Sequence, residues 1–147
     1  MSNGIVLDES VTHGTNWSCD VQDELLYLAR SARRFRDDLD RTAVLFERVG
    51  RGIAFFAFIL AVFNAAEDLP LVIVLLPIIV GIVAFADLQN KAALKYSAAF
   101  QIQGIIDAIR GELLLQVAFR LDGVIFLRIQ QVNYVAVRAQ YRYDSNY

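Results

Sequence analysis

Two apolar runs lie back to back in the middle of the sequence, and together they limit the possible folds more than any other feature. Residues 52–66 (GIAFFAFILAVFNAA) and residues 69–86 (LPLVIVLLPIIVGIVAFA) contain no charged side chain, and only Glu67 and Asp68 separate them. As helices, the two runs would measure about 22 Å and about 27 Å, against a hydrocarbon core of about 30 Å. We therefore predict two membrane spans joined by a short loop, at about 50–66 and 69–86.

The composition supports a membrane protein and argues against several other classes. Hydrophobic residues make up 56% of the chain and charged residues 20%, compared with about 25% charged residues in an average soluble protein. A net charge of −2 argues against nucleic acid as a partner. With one cysteine, Cys19, and one histidine, His13, the chain cannot form an internal disulfide framework or a Cys/His zinc site. The alternative to a membrane protein is a soluble helical hairpin buried in the core of an oligomer.

The 14 Lys and Arg residues lie on both sides of the apolar runs and are absent between them. Seven fall within residues 30–51, and the other seven begin at Lys91. The positive-inside rule then places both termini in the cytoplasm, with Glu67 and Asp68 on the far side of the inner membrane. The cations nearest to the apolar runs are the expected anchors at the lipid headgroups: Arg48, Arg51, Lys91 and Lys95.

The segments that flank the apolar runs carry helical stripes. Alternating steps of four and three residues from Val21 meet apolar side chains everywhere except at Thr42: Leu25, Leu28, Ala32, Phe35, Leu39, Phe46, Val49 and Ile53. After the second run, three- and four-residue steps or their sums connect Leu88, Ala92, Ala99, Ile102, Ile106, Ile109 and Leu113. A stripe that repeats every 3.5 residues needs a partner helix along its length. A turn at 67–69 would bring the two stripes together in antiparallel orientation.

We therefore expect an all-α fold, in which a two-span transmembrane helical hairpin extends into a long antiparallel cytoplasmic helical stalk. The hairpin occupies residues 20–118, residues 1–19 form a flexible N-terminal arm, and residues 119–147 form a short C-terminal element. The C-terminal element is rich in Val, Ile and Tyr and partly alternates, which suits a strand, yet its uninterrupted sequence after Gly123 also suits a helix. We favour a helix that folds back on the stalk.

Three residues inside the runs are informative about how the spans pack. Pro77 should kink the second span and free the carbonyl of Ile73, and Gly81 offers a small-residue face to a neighbouring helix. Asn64 is the one strongly polar side chain in either run. Asn64 could line or gate a pore, or it could form a helix–helix hydrogen bond or lie at the membrane interface close to the loop. We favour the second pair of alternatives.

No motif in the sequence predicts an enzyme, a metal site or a cofactor site. The chain has no Gly-rich phosphate loop and no nucleophile elbow. Arg33, Arg34 and Arg36 form a basic turn, but acidic residues follow at once, so a solvated helix face is favoured over a lipid-phosphate site. The loop carboxylates Glu67 and Asp68 would form a charged mouth if the hairpin lined a pore.

The layout of residues 22–118 resembles the SLATT domains, two-transmembrane effector modules associated with bacterial nucleotide-signalling conflict systems. The resemblance rests on an Arg-rich helix (LLYLARSARRFRDDLDRTAVLFERV), a two-span hairpin with a short loop, and a basic helix that follows it (LQNKAALKYSAAF). It implies a pore-former that oligomerises and perforates the inner membrane in antiviral defence, under an upstream sensor or nucleotide-signalling protein. The chain departs from the family in lacking an evident sensor domain. A non-conducting structural subunit of a larger membrane assembly is the second hypothesis.

Overall fold

The computed structural model describes residues 19–114 and 122–146, and these residues form three helices and no strand. Helix α1 is Cys19–Ala66, α2 is Leu71–Leu114, and α3 is Gly123–Ser145. The predicted all-α class is therefore confirmed. The predicted arm, apart from Cys19, and the junction at 115–121 lie outside the described residues.

Helices α1 and α2 are long rods that pack side by side in antiparallel orientation. At 48 and 44 residues, they measure about 72 Å and about 66 Å. Gly81 lies against Ala57 near the turn, and the Arg36 guanidinium donates to the Gln103 amide oxygen farther along. The two rods thus stay in register over most of their length.

The turn between the rods is a Schellman motif with an aspartate in the left-handed position. The Leu69 N–H donates to the Asn64 carbonyl at 3.3 Å, and the Asp68 N–H donates to the Ala65 carbonyl at 3.2 Å. Asp68 has φ = 52°, a conformation that glycine adopts without the steric cost that an L side chain incurs. The Pro70 carbonyl then accepts from two amides of the first turn of α2. Asp68 therefore ends α1 and does not cap α2.

The main hydrophobic core lies far from the turn, where all three helices meet. Its buried members come from every helix: Leu25, Leu28, Ala29, Ala32, Ile102, Ile105, Ile106, Ile109, Leu113, Phe126, Leu127 and Tyr134. A smaller cluster of Leu39, Ala98 and Ala99, with Phe35 and Tyr141 packed against it, follows toward the turn. The predicted stripes of α1 and α2 thus pack against each other within one copy of the chain.

The buried stripe of α1 departs from the predicted 3.5-residue period after Leu39. Ala43 is fully buried and Gly50 is buried, while three members of the predicted seam, Thr42, Val49 and Ile53, are exposed. The buried positions Leu28, Leu39, Gly50 and Ala61 follow one another at 11-residue intervals. An 11-residue repeat corresponds to about 3.67 residues per turn, close to a straight α-helix, whereas a strict heptad requires a left-handed supercoil. The rods therefore pack with less left-handed coiling than the heptad predicts.

Helix α3 resolves the choice between helix and strand for the C-terminal element. The Asp122 carboxylate caps it by accepting from the amides of Val124 and Ile125 at 3.0 and 3.2 Å. The helix folds back along α1 and α2 and buries Phe126, Leu127, Gln130 and Tyr134 against them. Its partial alternation of apolar residues reflects two separate helix faces.

Candidate functional site

The candidate site is the apolar hairpin, defined here as residues 52–66 of α1, residues 71–86 of α2 and the turn between them. Both helices are long and apolar enough to cross a membrane. The core helix of a soluble protein can have the same length and composition, but such a helix is mostly buried. Here only 17% of the most apolar 18-residue segment of α1 and 6% of that of α2 are buried. Within one copy of the chain, the hairpin therefore differs from a buried core helix.

Large apolar side chains cover the outer surface of the hairpin, that is, the faces of α1 and α2 that do not contact the other helix. Each helix buries one stripe against the other, so the rest of its circumference stays uncovered. The exposed large side chains are Ile53, Phe55, Phe56, Phe58, Ile59, Leu60, Val62, Phe63, Leu69, Leu71, Val72, Ile73, Leu75, Leu76, Ile79, Val80, Ile82 and Val83. This surface greatly exceeds the apolar patches of about 300–600 Å² found on soluble monomers.

Small residues set the contact between the two helices of the hairpin. A Cβ atom added at Gly81 would lie 2.5 Å from the Ala57 Cβ, closer than side chains can approach. Ala57 and Ala61 are buried at 9% and 3% exposure, and a Cβ at Gly50 would touch Phe85 at 3.4 Å. Gly81 therefore marks a close approach of α1 and α2, of the kind that small residues permit.

Asn64 and Pro77 meet at one backbone carbonyl. Pro77 has no N–H, so it cannot donate to the Ile73 carbonyl four residues earlier. The Asn64 amide nitrogen donates to that carbonyl across the helix pair, at a long 3.4 Å. Asn64 is partly buried and therefore faces α2. The polar group that the sequence singled out is used to satisfy the backbone defect that the proline creates.

The cations predicted as membrane anchors divide into two groups. Arg48, Arg51 and Lys91 are exposed near the base of the hairpin, and the Lys91 ammonium pairs with the Asp87 carboxylate at 3.0 Å. The Lys95 ammonium instead donates to the Tyr141 hydroxyl at 2.6 Å, with both residues only partly exposed. Lys95 is therefore engaged between helices.

Lys95 belongs to a cluster that holds α3 to α1 and α2 outside the hairpin and that sequence reasoning missed. Its ammonium lies 5.2 Å from the Phe46 ring centre and 5.3 Å from that of Tyr141. The Phe35 ring packs edge-on against Tyr141 at 6.0 Å, and the Arg138 guanidinium lies 5.2 Å from the Phe35 centroid. Such cation–ring contacts are each worth about 0.5–2 kcal/mol. The helical spacing of Tyr134, Arg138 and Tyr141 was the signal available in the sequence.

Tyr96 links the two rods beside this cluster. Burial raises the pKa of Tyr96, and the nearby carboxylates of Glu47 and Asp40 raise it further, partly through a hydrogen bond to Glu47. The hydroxyl therefore stays protonated and can donate to Glu47. Arg51 acts in the opposite direction by favouring the phenolate.

The loop carboxylates Glu67 and Asp68 are exposed at the tip of the hairpin. Arg51 and Lys91 are the nearest cations on either side along the sequence. Within residues 19–114 and 122–146, no group of His, Cys, Asp or Glu side chains has the arrangement to hold a metal ion. Comparisons with protein-family models, curated proteins and solved structures gave no match.

Proposed function

We propose that the chain is a two-span protein of the inner membrane, with the apolar hairpin in the bilayer and the rest of α1 and α2 forming a cytoplasmic stalk. The observation that carries the proposal is the band of exposed apolar side chains around both helices of the hairpin. In water this apolar surface would stay hydrated, which costs about 25 cal/mol for each Å² compared with burying it. Lipid tails cover it without cost.

The distribution of charge supports the orientation. Arg48, Arg51 and Lys91 lie at the base of the hairpin, and the tip carries Glu67 and Asp68. Cationic residues remain on the cytoplasmic side during insertion, so both termini are cytoplasmic in this proposal.

The length of the hairpin favours a protein that disturbs the bilayer. From Arg51 to its last residue, Ala66, α1 rises about 22 Å, less than the hydrocarbon thickness of about 30 Å. A short span thins the membrane around it or associates with other spans. We therefore infer that copies assemble into an oligomer that perforates the membrane, as the resemblance to SLATT effectors implies, with an upstream sensor or nucleotide-signalling protein as the trigger.

The second candidate is a non-conducting structural subunit, and one observation favours it. Asn64, the polar side chain available for lining a pore, donates to the Ile73 carbonyl of the neighbouring helix. A pore made from this hairpin would therefore be lined by apolar side chains, by the tip carboxylates or by surfaces formed on assembly.

Inducible expression in bacterial cells tests the proposal, with membrane potential, growth and membrane fractionation recorded together. A variant with Leu76→Arg and Ile79→Arg is the control, because each arginine at a span centre costs about 2.5–3.5 kcal/mol on insertion. The effector proposal predicts that the wild type fractionates with the membrane and depolarises it, while the control does neither. Wild-type protein that inserts without depolarisation identifies the structural subunit. Wild-type protein in the soluble fraction overturns both membrane hypotheses.

A further inference from the structure

Helix α3 carries two apolar stripes on nearly opposite faces. One stripe packs against α1 and α2; it contains the apolar or aromatic residues Leu127, Tyr134, Val137 and Tyr141 together with the buried polar residue Gln130. The other stripe, here called the outer stripe, consists of Ile125, Ile129, Val132, Ala136 and Ala139, which are all exposed.

The outer stripe follows a coiled-coil period without a break. Its members succeed one another by steps of four, three, four and three residues. Ile125, Ile129 and Val132 are exposed by 60%, 48% and 67%. A stripe with this spacing fits the seam of another helix, whereas a surface in contact with water has no reason to keep it. The buried stripes of α1 and α2 already pack against each other within the same chain. The outer stripe of α3 has no such partner within the described residues and is therefore accessible to a second copy.

The residues that flank the outer stripe distinguish between two directions of pairing. On one side lie Arg128, Val135 and Arg142, and on the other lie Asn133 and Gln140. In a parallel pair, Arg128 comes beside the partner's Asn133, five positions farther along, and Val135 beside the partner's Gln140. In a fully overlapping antiparallel pair, Arg128 would face the partner's Arg142, and like charges repel.

We propose that α3 of one copy pairs through its outer stripe with α3 of a second copy, in parallel and in register. This proposal rests on the proposed membrane location, because copies inserted in one membrane with the same orientation present their α3 helices in parallel. The pairing gives the assembly a cytoplasmic contact independent of the spans.

The size of the outer stripe explains why the membrane is needed. Its side chains expose on the order of 400 Å² per copy, so a pair buries about 800 Å², less than the ~1,000 Å² that a stable interface between freely diffusing proteins requires. Anchoring in a bilayer raises the effective concentration of one copy near another and makes a small interface sufficient. The stripe therefore determines which surfaces of anchored copies meet.

Disulfide formation in native membranes tests the pairing, in a Cys19→Ser background. Residues at the same seam position face each other in a parallel pair, so Ile129→Cys should form disulfide-linked dimers. Gln131→Cys, exposed on the same helix but outside the outer stripe and its flanking positions, is the matched control and should form at least tenfold fewer dimers. The Cα atoms must come within about 7 Å for a disulfide to form. Equal, low yields from both variants overturn the pairing, whatever the outcome of the depolarisation experiment.

Two further variants separate the remaining outcomes. In an antiparallel pair Ile129 faces the partner's Ala139, so dimers that form only when Ile129→Cys and Ala139→Cys chains are mixed overturn the parallel arrangement. Val132→Glu, at an exposed seam position, should reduce the Ile129→Cys dimers at least tenfold, while Gln131→Glu should not. Circular dichroism that is unchanged in both variants shows that the fold is intact. Dimers that survive Val132→Glu overturn the role of the outer stripe. Membrane fractionation of the same samples reports separately on the proposed function.

Discussion

At the scale of single residues, the hairpin is organised by a proline and the asparagine that compensates for it. A carbonyl without a hydrogen-bond partner costs several kcal/mol in an apolar environment, and in the proposed bilayer location lipid could not replace the missing bond. Pro77 creates such a group at Ile73, and the Asn64 amide reaches it from the other helix. A residue that looks polar and misplaced in the sequence thus completes the backbone hydrogen bonding of its neighbour.

Asn64→Leu should therefore destabilise the hairpin by about 0.5–1.5 kcal/mol, the range of hydrogen bonds between membrane helices. The measurement is the free energy of unfolding in mixed micelles. The control is Pro77→Ala, whose restored N–H can donate to the Ile73 carbonyl within α2. In that background Asn64→Leu should cost less than half as much. An equal cost in both backgrounds would show that the two residues are not coupled through this carbonyl.

Two glycines of α2 should respond in opposite directions to alanine. At Gly81 the new Cβ would lie 2.5 Å from Ala57, so Gly81→Ala should force the helices apart and destabilise the protein by about 1–3 kcal/mol. At Gly104 nothing lies within 4 Å, so Gly104→Ala should stabilise it by up to about 1 kcal/mol through helix propensity. Thermal unfolding in detergent checks both. A stabilising Gly81→Ala would mean that the helices do not approach as closely as described.

At the scale of the helices, the interface between α1 and α2 follows an 11-residue repeat, so adjacent residues should differ sharply in tolerance. Ala43 is fully buried and Thr42 is exposed. Ala43→Asp should destabilise the pair by about 3–5 kcal/mol because it buries an unpaired carboxylate. Thr42→Asp should change stability by less than about 0.5 kcal/mol. Circular dichroism melting of the two purified variants measures both changes. A larger loss of stability in Thr42→Asp than in Ala43→Asp would support the strict heptad instead.

The sequence was sufficient to predict the all-α class and the two long antiparallel helices, because the apolar runs, the short loop and the helical stripes are all local patterns. It predicted Leu28 and Ile106 as buried for the same reason. For the C-terminal element it favoured a helix but left a strand open, because the pattern there fits both. It failed at Thr42 and Val49, since the phase of a long stripe depends on how closely the partner helix approaches, and Gly50 and Ala57 decide that approach only in three dimensions. The sequence could not predict the contact of Lys95 with Tyr141, because those residues are 46 positions apart and meet only when α3 folds back.

At the scale of the whole molecule, the proposed orientation can be tested with an impermeant thiol reagent. In a Cys19→Ser background, Glu67→Cys at the tip and Ala93→Cys beyond the base are both exposed. In intact spheroplasts Glu67→Cys should be labelled and Ala93→Cys should not, because the cations keep the base in the cytoplasm. Both should be labelled after permeabilisation. Labelling of Ala93→Cys alone before permeabilisation would show the opposite orientation. Labelling of both would show that the hairpin does not span the bilayer.

The tip of the hairpin is where an assembled pore would discriminate between ions. Each copy contributes Glu67 and Asp68, and carboxylates within a Debye length of about 8 Å reinforce one another and concentrate cations at the mouth. Carboxylates on a wide ring, or on the outside of a bundle, are screened from one another and have no such effect. Selectivity therefore reports whether the tips converge.

Glu67→Gln combined with Asp68→Asn removes both charges without disturbing the turn, since asparagine tolerates the left-handed conformation of Asp68. The double variant should conduct in planar bilayers with its preference for cations reduced several-fold. The control changes the same residue types at the opposite end of α1, as Asp23→Asn with Glu24→Gln, and should keep the wild-type selectivity because those side chains lie far from the mouth. Unchanged selectivity in the tip variant would place the loop outside the ion path. No conductance from any of the three proteins would favour the structural subunit, because apolar helices that only anchor a scaffold provide no path for ions.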